Sequence, residues 1–186
     1  SKKEDGTLIY TREDGSSLYF KEVAENQYEC PEGYDLELNP VKIGEKTYDF
    51  GNGEESYPIY EYEIKDSAQV VKTFDRYGSL TKITNQNGNE TKLSYDENLN
   101  LKSVTSAAGN TYQFTMTEDG KVEKIQLPNG GVIAYEYDDE NNLISYIDAS
   151  GAVIRYEYDD EHRMTAWYDG KDAKIVENTY DEEGRV

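Results

Sequence analysis

The sequence holds one cysteine, one histidine, one tryptophan, two methionines and four prolines in 186 residues. One cysteine excludes an intrachain disulfide and any cysteine-built metal cluster. One histidine excludes a histidine-rich metal centre and leaves a single candidate for any catalytic triad. No apolar run approaches the roughly 18 residues of a membrane-spanning helix, and no secretory leader is visible. Cations are scarce: 19 Lys and Arg face 39 Asp and Glu, a formal net charge of -20. The cations are scattered singly, which argues against a nucleic-acid surface. The same repulsion disfavours an anionic membrane, so the charge reads as solubility. Hydrophobic residues make up only 35%, low for a compact globule, yet aromatics reach 12% and eighteen residues are tyrosine. That is too aromatic for a disordered chain. Tyrosine, with an apolar ring and a polar tip, suits half-buried positions on sheets.

What is present is a period. Blocks of 21 residues open at Phe74-Asp75, Tyr95-Asp96, Met116-Thr117, Tyr137-Asp138 and Tyr158-Asp159, and a sixth opens at Tyr180-Asp181 after one extra residue. Position seven of the blocks reads Leu80, Leu101, Val122, Leu143, Met164; position ten reads Ile83, Val104, Ile125, Tyr146, Trp167; position fifteen reads Gly88, Gly109, Gly130, Gly151. Positions eighteen, twenty and the next position one alternate with polar residues, as in Ile154-Arg155-Tyr156-Glu157-Tyr158. Such alternation marks a strand with one buried face. Each block therefore holds two strands and two turns. The first turn uses Asp, which can bond backbone two residues on, and Gly, which accepts positive φ. Asn141 suits the Gly column, whereas Leu99 and His162 in it predict strain or a different turn. Positions seven and ten are three apart, so a flat strand would point them to opposite faces; a β-bulge or a sheet covered on both sides would reconcile them.

Residues 1–73 lack the clean period but use similar chemistry. Leu8 to Arg12 and Leu18 to Phe20 flank a Glu13-Asp14-Gly15-Ser16 turn. Leu36 and Leu38 alternate before Asn39-Pro40. Val41 to Phe50 reads as a separate pair around Gly44-Glu45, and residues 51–56 as a loop. Ile59 to Ile64 and Val70 to Phe74 form a hairpin leading directly into the first block. The expected fold is all-β, an elongated, curved antiparallel meander of tandem hairpins. It comprises a lead-in module over 1–73 and 21-residue repeats over 74–186, starting at 74, 95, 116, 137, 158 and 180. The pattern restarts at Tyr180 just as the sequence stops, so the chain is expected to be part of a longer array.

The run Phe74-Asp75-Arg76-Tyr77-Gly78-Ser79-Leu80, with Gly88 eight residues on, resembles the RHS/YD repeat, whose pattern is Tyr-Asp, two variable residues, then Gly-Arg-Leu. Tyr180-Asp181-Glu182-Glu183-Gly184-Arg185-Val186 is a second good match, and Tyr10 to Phe20 looks like the lead-in of such proteins. Met116-Thr117, Leu99, His162 and the 22-residue last spacing depart from the pattern. The family includes wall-associated proteins, RHS polymorphic toxins, insecticidal toxin-complex shells and teneurins. The resemblance implies a non-catalytic scaffold, part of a hollow β-shell enclosing a C-terminal toxin or other payload in a secreted or cell-wall-associated bacterial protein. The family's self-cleaving aspartyl motif is absent from this sequence, so no protease residue carries over.

The residues nominate no enzyme. His162 sits in a turn column, Cys30 precedes Pro31 without a metal or redox partner, and 39 carboxylates nominate no glycosidase pair. The acidic turns 138–142 and 159–161 lack calcium-loop spacing. No catalytic, cofactor or metal residue is expected. The alternative is a surface module recognising carbohydrate or peptidoglycan through Tyr135, Tyr137, Tyr156, Tyr158 and Trp167. Expected partners are neighbouring repeats and the enclosed domain of the same parent chain, with cell-wall glycan under the alternative. Weak self-association through the terminal edge strand, Ile175 to Tyr180, is a further expectation.

Overall fold

The computed structural model describes residues 1–49, 51 and 53–186. Among them it is all-β, an antiparallel meander, as the hairpin period requires. It divides into two compact units, residues 1–93 with 106–108, and residues 94–105 with 109–186.

The first unit opens with a three-stranded sheet, β1 (Leu8–Thr11), β2 (Ser17–Ala24) and β3 (Gln27–Glu29). A longer sheet then begins with β4 (Leu36–Asp49), β5 (Glu54–Asp66), β6 (Val71–Phe74), β7 (Leu80–Thr84) and β8 (Glu90–Tyr95), whose last two residues belong to the second unit. In the second unit follow β9 (Leu101–Thr105), β10 (Thr111–Met116), β11 (Val122–Gln126), β12 (Val132–Tyr137), β13 (Leu143–Ile147), β14 (Val153–Tyr158), β15 (Met164–Tyr168) and β16 (Lys174–Glu177). The order from β4 to β16 is strictly sequential, with β4 and β16 as its two ends.

Two expectations for residues 36–56 need correction. β4 does not stop at Asn39-Pro40 or turn at Gly44-Glu45; it pairs with β5 from Leu36↔Asp66 to Asp49↔Glu54. Pro40 is tolerated because β4 lies at the end of the sheet, where one row of backbone groups needs no strand partner. Gly44 marks a bulge, not a turn: Lys42 pairs with Tyr60 and Gly44 with Ile59, leaving Ile43 over. Glu54 to Ser56 belong to β5 rather than to a loop. Phe50 and Asn52, which fell within those two expectations, lie outside the described residues.

The core of the first unit forms where the small sheet lies on the face of β4–β6. Leu8, Leu18 and Phe20 meet Leu38 and Ile64, with Tyr10, Tyr62 and Phe74 around them. Register puts Leu38, Ile64, Tyr62 and Phe74 on one face, because directly paired residues share a face. Tyr10 and Phe74 meet edge to face, with ring centroids 5.8 Å apart. Lys72 Nζ donates to the Tyr10 hydroxyl at 3.2 Å and pairs with Glu13, fastening the β1–β2 turn to β6. Lys72 holds the Glu13 carboxyl below the usual carboxylate range.

The bulge reading of positions seven and ten is the one the structure shows. Thr73 pairs with Lys82 but Phe74 with Leu80, so Thr81 is the extra residue. The same step leaves out Glu123, Ile144 and Thr165 in later hairpins. One additional residue between positions seven and ten restores both to one face. The 22-residue spacing is absorbed likewise: Trp167 pairs with Val176 and Tyr168 with Lys174, leaving Ile175 over.

Phe20 is the one large side chain with no exposed surface among those described. Phe20→Ala is expected to destabilise the first unit by about 3–5 kcal/mol, read as a lower urea midpoint by circular dichroism. A change under about 1 kcal/mol would show that this core is not what holds the small sheet in place.

Candidate functional site

The residues that the sequence singled out, the Tyr-Asp dipeptide and the following Gly column, come together at the repeat turn. In the first turn of each block the N–H of residue i donates to the carbonyl of i+4, and the N–H of i+3 donates back to the carbonyl of i. For Asp75 these bonds run to Ser79 and from Gly78 at 2.9 and 3.0 Å, and for Asp181 to Arg185 and from Gly184 at 3.0 and 3.0 Å. This is a three-residue hairpin loop, a type I turn closed by a left-handed residue. The second turns use the same bonds, as in Asp148 with Ala152 and Gly151 at 3.0 and 2.9 Å.

The left-handed position explains the Gly column. Gly78, Gly120 and Gly184 have φ of 90°, 80° and 75° there. Leu99 and His162 do not adopt a different turn; they take the same conformation at φ of 64° and 61°, and Asn141 at 72°. Two of these non-glycine residues link neighbouring turns. His162 Nδ1 lies 2.9 Å from Asn142 Oδ1, and Lys121 Nζ donates to Asn141 Oδ1. In both, the residue after one left-handed position reaches the left-handed residue of the next block.

Asp caps the turn with its side chain. Asp75 Oδ1 accepts from the N–H of Tyr77 and of Ser79, both at 2.9 Å, and Asp159 accepts from Glu161 and Arg163 at 3.1 and 2.9 Å. Asn85 does the same at 2.9 and 3.0 Å. Thr117 supplies one such bond, to Lys121 N–H at 3.1 Å. Bonding to N–H donors favours the ionised form, so the Asp96, Asp169 and Asp181 carboxyls titrate below their ordinary range. The largest cause in each is the N–H four residues on.

Tyrosine ties one hairpin to the previous one. Tyr137 donates to the Val122 carbonyl at 3.0 Å, Tyr158 to Leu143 at 3.0 Å and Tyr180 to Met164 at 2.7 Å. A cation from the first turn of the preceding block lies over the ring: Lys121 Nζ is 4.8 Å from the Tyr137 centroid, and the Arg163 guanidinium 4.7 Å from that of Tyr180. Arg163 Nε also donates to Asp159 Oδ2 at 2.8 Å, and Arg185 Nε to Asp181 Oδ2 at 2.8 Å. Tyr, Asp, Gly and Arg thus act on backbone, on each other and on the next repeat. Sequence reasoning missed the cation position; the column Lys121, Arg163, Arg185 was the available signal.

The five residues of the carbohydrate reading share one face. Tyr135 pairs with Tyr146 and Tyr146 with Ile154; Tyr156 pairs with Trp167 and Trp167 with Val176; Phe114 pairs with Ile125 and Ile125 with Ile133. Tyr135 and Tyr146 rings are 5.6 Å apart. Burial, then the neighbouring tyrosines, pushes the Tyr135 hydroxyl pKa up. Tyr137 and Tyr158 have their hydroxyls turned onto backbone carbonyls. Elsewhere, Cys30 Sγ donates to the Tyr34 carbonyl at 3.3 Å. Among the described residues no three His, Cys, Asp or Glu converge as metal ligands.

A turn that spends its polar side chains on adjoining backbone, repeated strand after strand, defines a tandem-repeat β-scaffold. The chain belongs to the Teneurin YD-shell family, whose sequence profile matches residues 65–186. No curated protein matches it. Among solved structures it resembles the Photorhabdus luminescens Tc holotoxin pore with a TccC3 variant, at 11% identity over 98% of this chain and 11% of that one, with a TM-score of 0.52. It also resembles TcdB2-TccC3, at 19% identity over 72% of this chain and 7% of that one, with a TM-score of 0.47. The chain thus spans about a tenth or less of these structures' chains.

Two measurements check the turn. Depressed aspartate pKa values mean the caps contribute stability above the unfolded value near 3.9 and lose it as pH falls through the lower folded values. Relief of charge repulsion acts in the opposite sense over the same range. Comparison with the triple variant Asp96→Asn, Asp169→Asn, Asp181→Asn, which keeps the acceptor oxygens, therefore isolates the caps. The native chain should lose more of its urea midpoint below about pH 4 than the variant does; equal losses would remove the carboxylates from the account. Tyr158→Phe should cost about 0.5–1.5 kcal/mol by leaving the Leu143 carbonyl without its partner. An unchanged midpoint would mean the ring alone holds the hairpins.

Proposed function

We propose that this chain is a non-catalytic scaffold, part of a hollow β-shell that encloses a C-terminal toxin or other payload in an exported bacterial protein, secreted or held at the cell surface. The observation that carries this reading is the use of the motif. Its tyrosine, aspartate and arginine are consumed in closing turns and joining hairpins, and membership of the YD-shell family supports it. Residues 1–73 then act as the lead-in module and 74–186 as the array. The partners are adjoining repeats and the enclosed segment of the same polypeptide.

The test is protease protection in the whole parent protein. A segment downstream of the array should resist digestion in the intact protein and become cleavable when Tyr137→Ala and Tyr158→Ala loosen the hairpins. Digestion at the rate of the isolated segment would overturn the enclosure. In parallel, peptidoglycan fragments titrated against Trp167 fluorescence should give no saturable change. A saturable, sugar-specific response lost in Trp167→Ala would replace the scaffold with a glycan-binding module.

A further inference from the structure

We propose that the tyrosine-bearing face of β9–β16 is a self-association surface on which a second copy of this chain packs face to face. Phe114, Ile133, Tyr135, Tyr156, Trp167 and Val176 lie on it through cross-strand pairs between the bulges. The opposite face carries Glu136, Arg155, Glu157 and Glu177. Much of the remaining charge of this unit lies in the first turns, at one end of the strands, with Lys102, Glu123, Lys124 and Lys174 on strands and Asp148, Asp169, Lys171 and Asp172 in second turns. Residues 96–100, 117–121, 138–142, 159–163 and 181–185 hold thirteen carboxylates and three cations. In a chain of net charge -20, this face is where two copies can meet without opposing carboxylates.

Three observations identify the occupant. First, the face repeats the chemistry of an interface found within the first unit. Phe74, at position one, shares its face with Ile64 and Leu38, and there a second β-layer, β1–β3, covers it. Strands β10–β16 pack against their own sheet neighbours. Second, the surface is large enough. Eight strands about 4.8 Å apart and about five residues long give roughly 650 Å² per copy. The pair would bury roughly 1,300 Å², within the range of specific interfaces. Third, the face is its own complement: tyrosine rings and aliphatic side chains alternate along it, with the cations Lys121 and Arg163 at its turn end over Tyr137 and Tyr180, and two such sheets stack about 10 Å apart.

The experiment is sedimentation velocity on the whole chain from micromolar to millimolar concentration, in about 0.1 M and about 1 M salt. Screening shortens from about 10 Å to about 3 Å between them. Expected is a monomer–dimer equilibrium that tightens with salt, with Trp167 emission shifting to shorter wavelength as dimer forms. Tyr156→Lys should raise the dimer Kd at least about tenfold. Lysine is compatible with this column, since Lys72 occupies position twenty in β6. Val153→Lys, on the other face, should leave Kd within about twofold. A monomer throughout, or a dimer that Tyr156→Lys leaves intact, overturns the proposal. So does association abolished by Ile175→Pro and not by Tyr156→Lys, which would place it at the β16 edge. If Tyr156→Lys loses its β-sheet signal, acrylamide quenching of Trp167 in the native chain decides: protection in the dimer supports the face, and equal quenching overturns it.

Discussion

Every strand reversal from β5 onward must satisfy the same few backbone groups, and one short turn does it each time. The requirement is severe because the strands are mostly four to six residues long, so a poorly closed turn would leave as many groups unpaired as the strand pairs. The turn fixes one residue in the left-handed region and binds an Asp, Asn or Thr side chain across the loop. Loop length is therefore constant. With loop length constant, register is constant, and with register constant the same columns return to the same face. The 21-residue period is the sum of these local demands.

Given that frame, tyrosine is the economical filling. A single sheet layer cannot bury an aliphatic core on both sides, and an aliphatic face would leave carbonyls at the bulges without donors. Tyr137 and Tyr158 supply ring and hydroxyl together, covering the sheet and bonding the carbonyls of Val122 and Leu143. Most charge can then sit in turns and on the other face. A chain with only 35% hydrophobic residues and a net charge of -20 folds on these terms because its cohesion is local, one hairpin to the next.

The sequence displayed the hairpins, their turns and the all-β class because period-two alternation and fixed spacing are local signals. It concealed three things, each set by pairing. The bulge at Thr81 and its equivalents exists only relative to the partner strand. The length of β4 depends on β5 opposite it, which overrode the breaking signals of Pro40 and Gly44. The contact between Lys121 and the Tyr137 ring joins residues sixteen apart, across two strands and the turn between them. His162 and Leu99 looked like defects for a related reason. Propensity counts the cost of positive φ, and the turn's closing bonds, with the Asn142 contact for His162, are visible only in three dimensions.

The bulge at Ile175 shows what this architecture does with an error in length. One residue too many entered the block, and the ladder expelled it within a single strand: Val176 faces Trp167 where Ile154 faces Tyr146. By Tyr180 the hydroxyl bond to the previous hairpin is back, and the turn at Asp181 closes as its predecessors do. A helix or a close-packed core would have carried the offset onward through every later contact. Here the reading frame of the fold recovers within one repeat. Arrays of this type can therefore gain or lose residues during evolution without loss of the units downstream, and strand bulges would be the scars to look for.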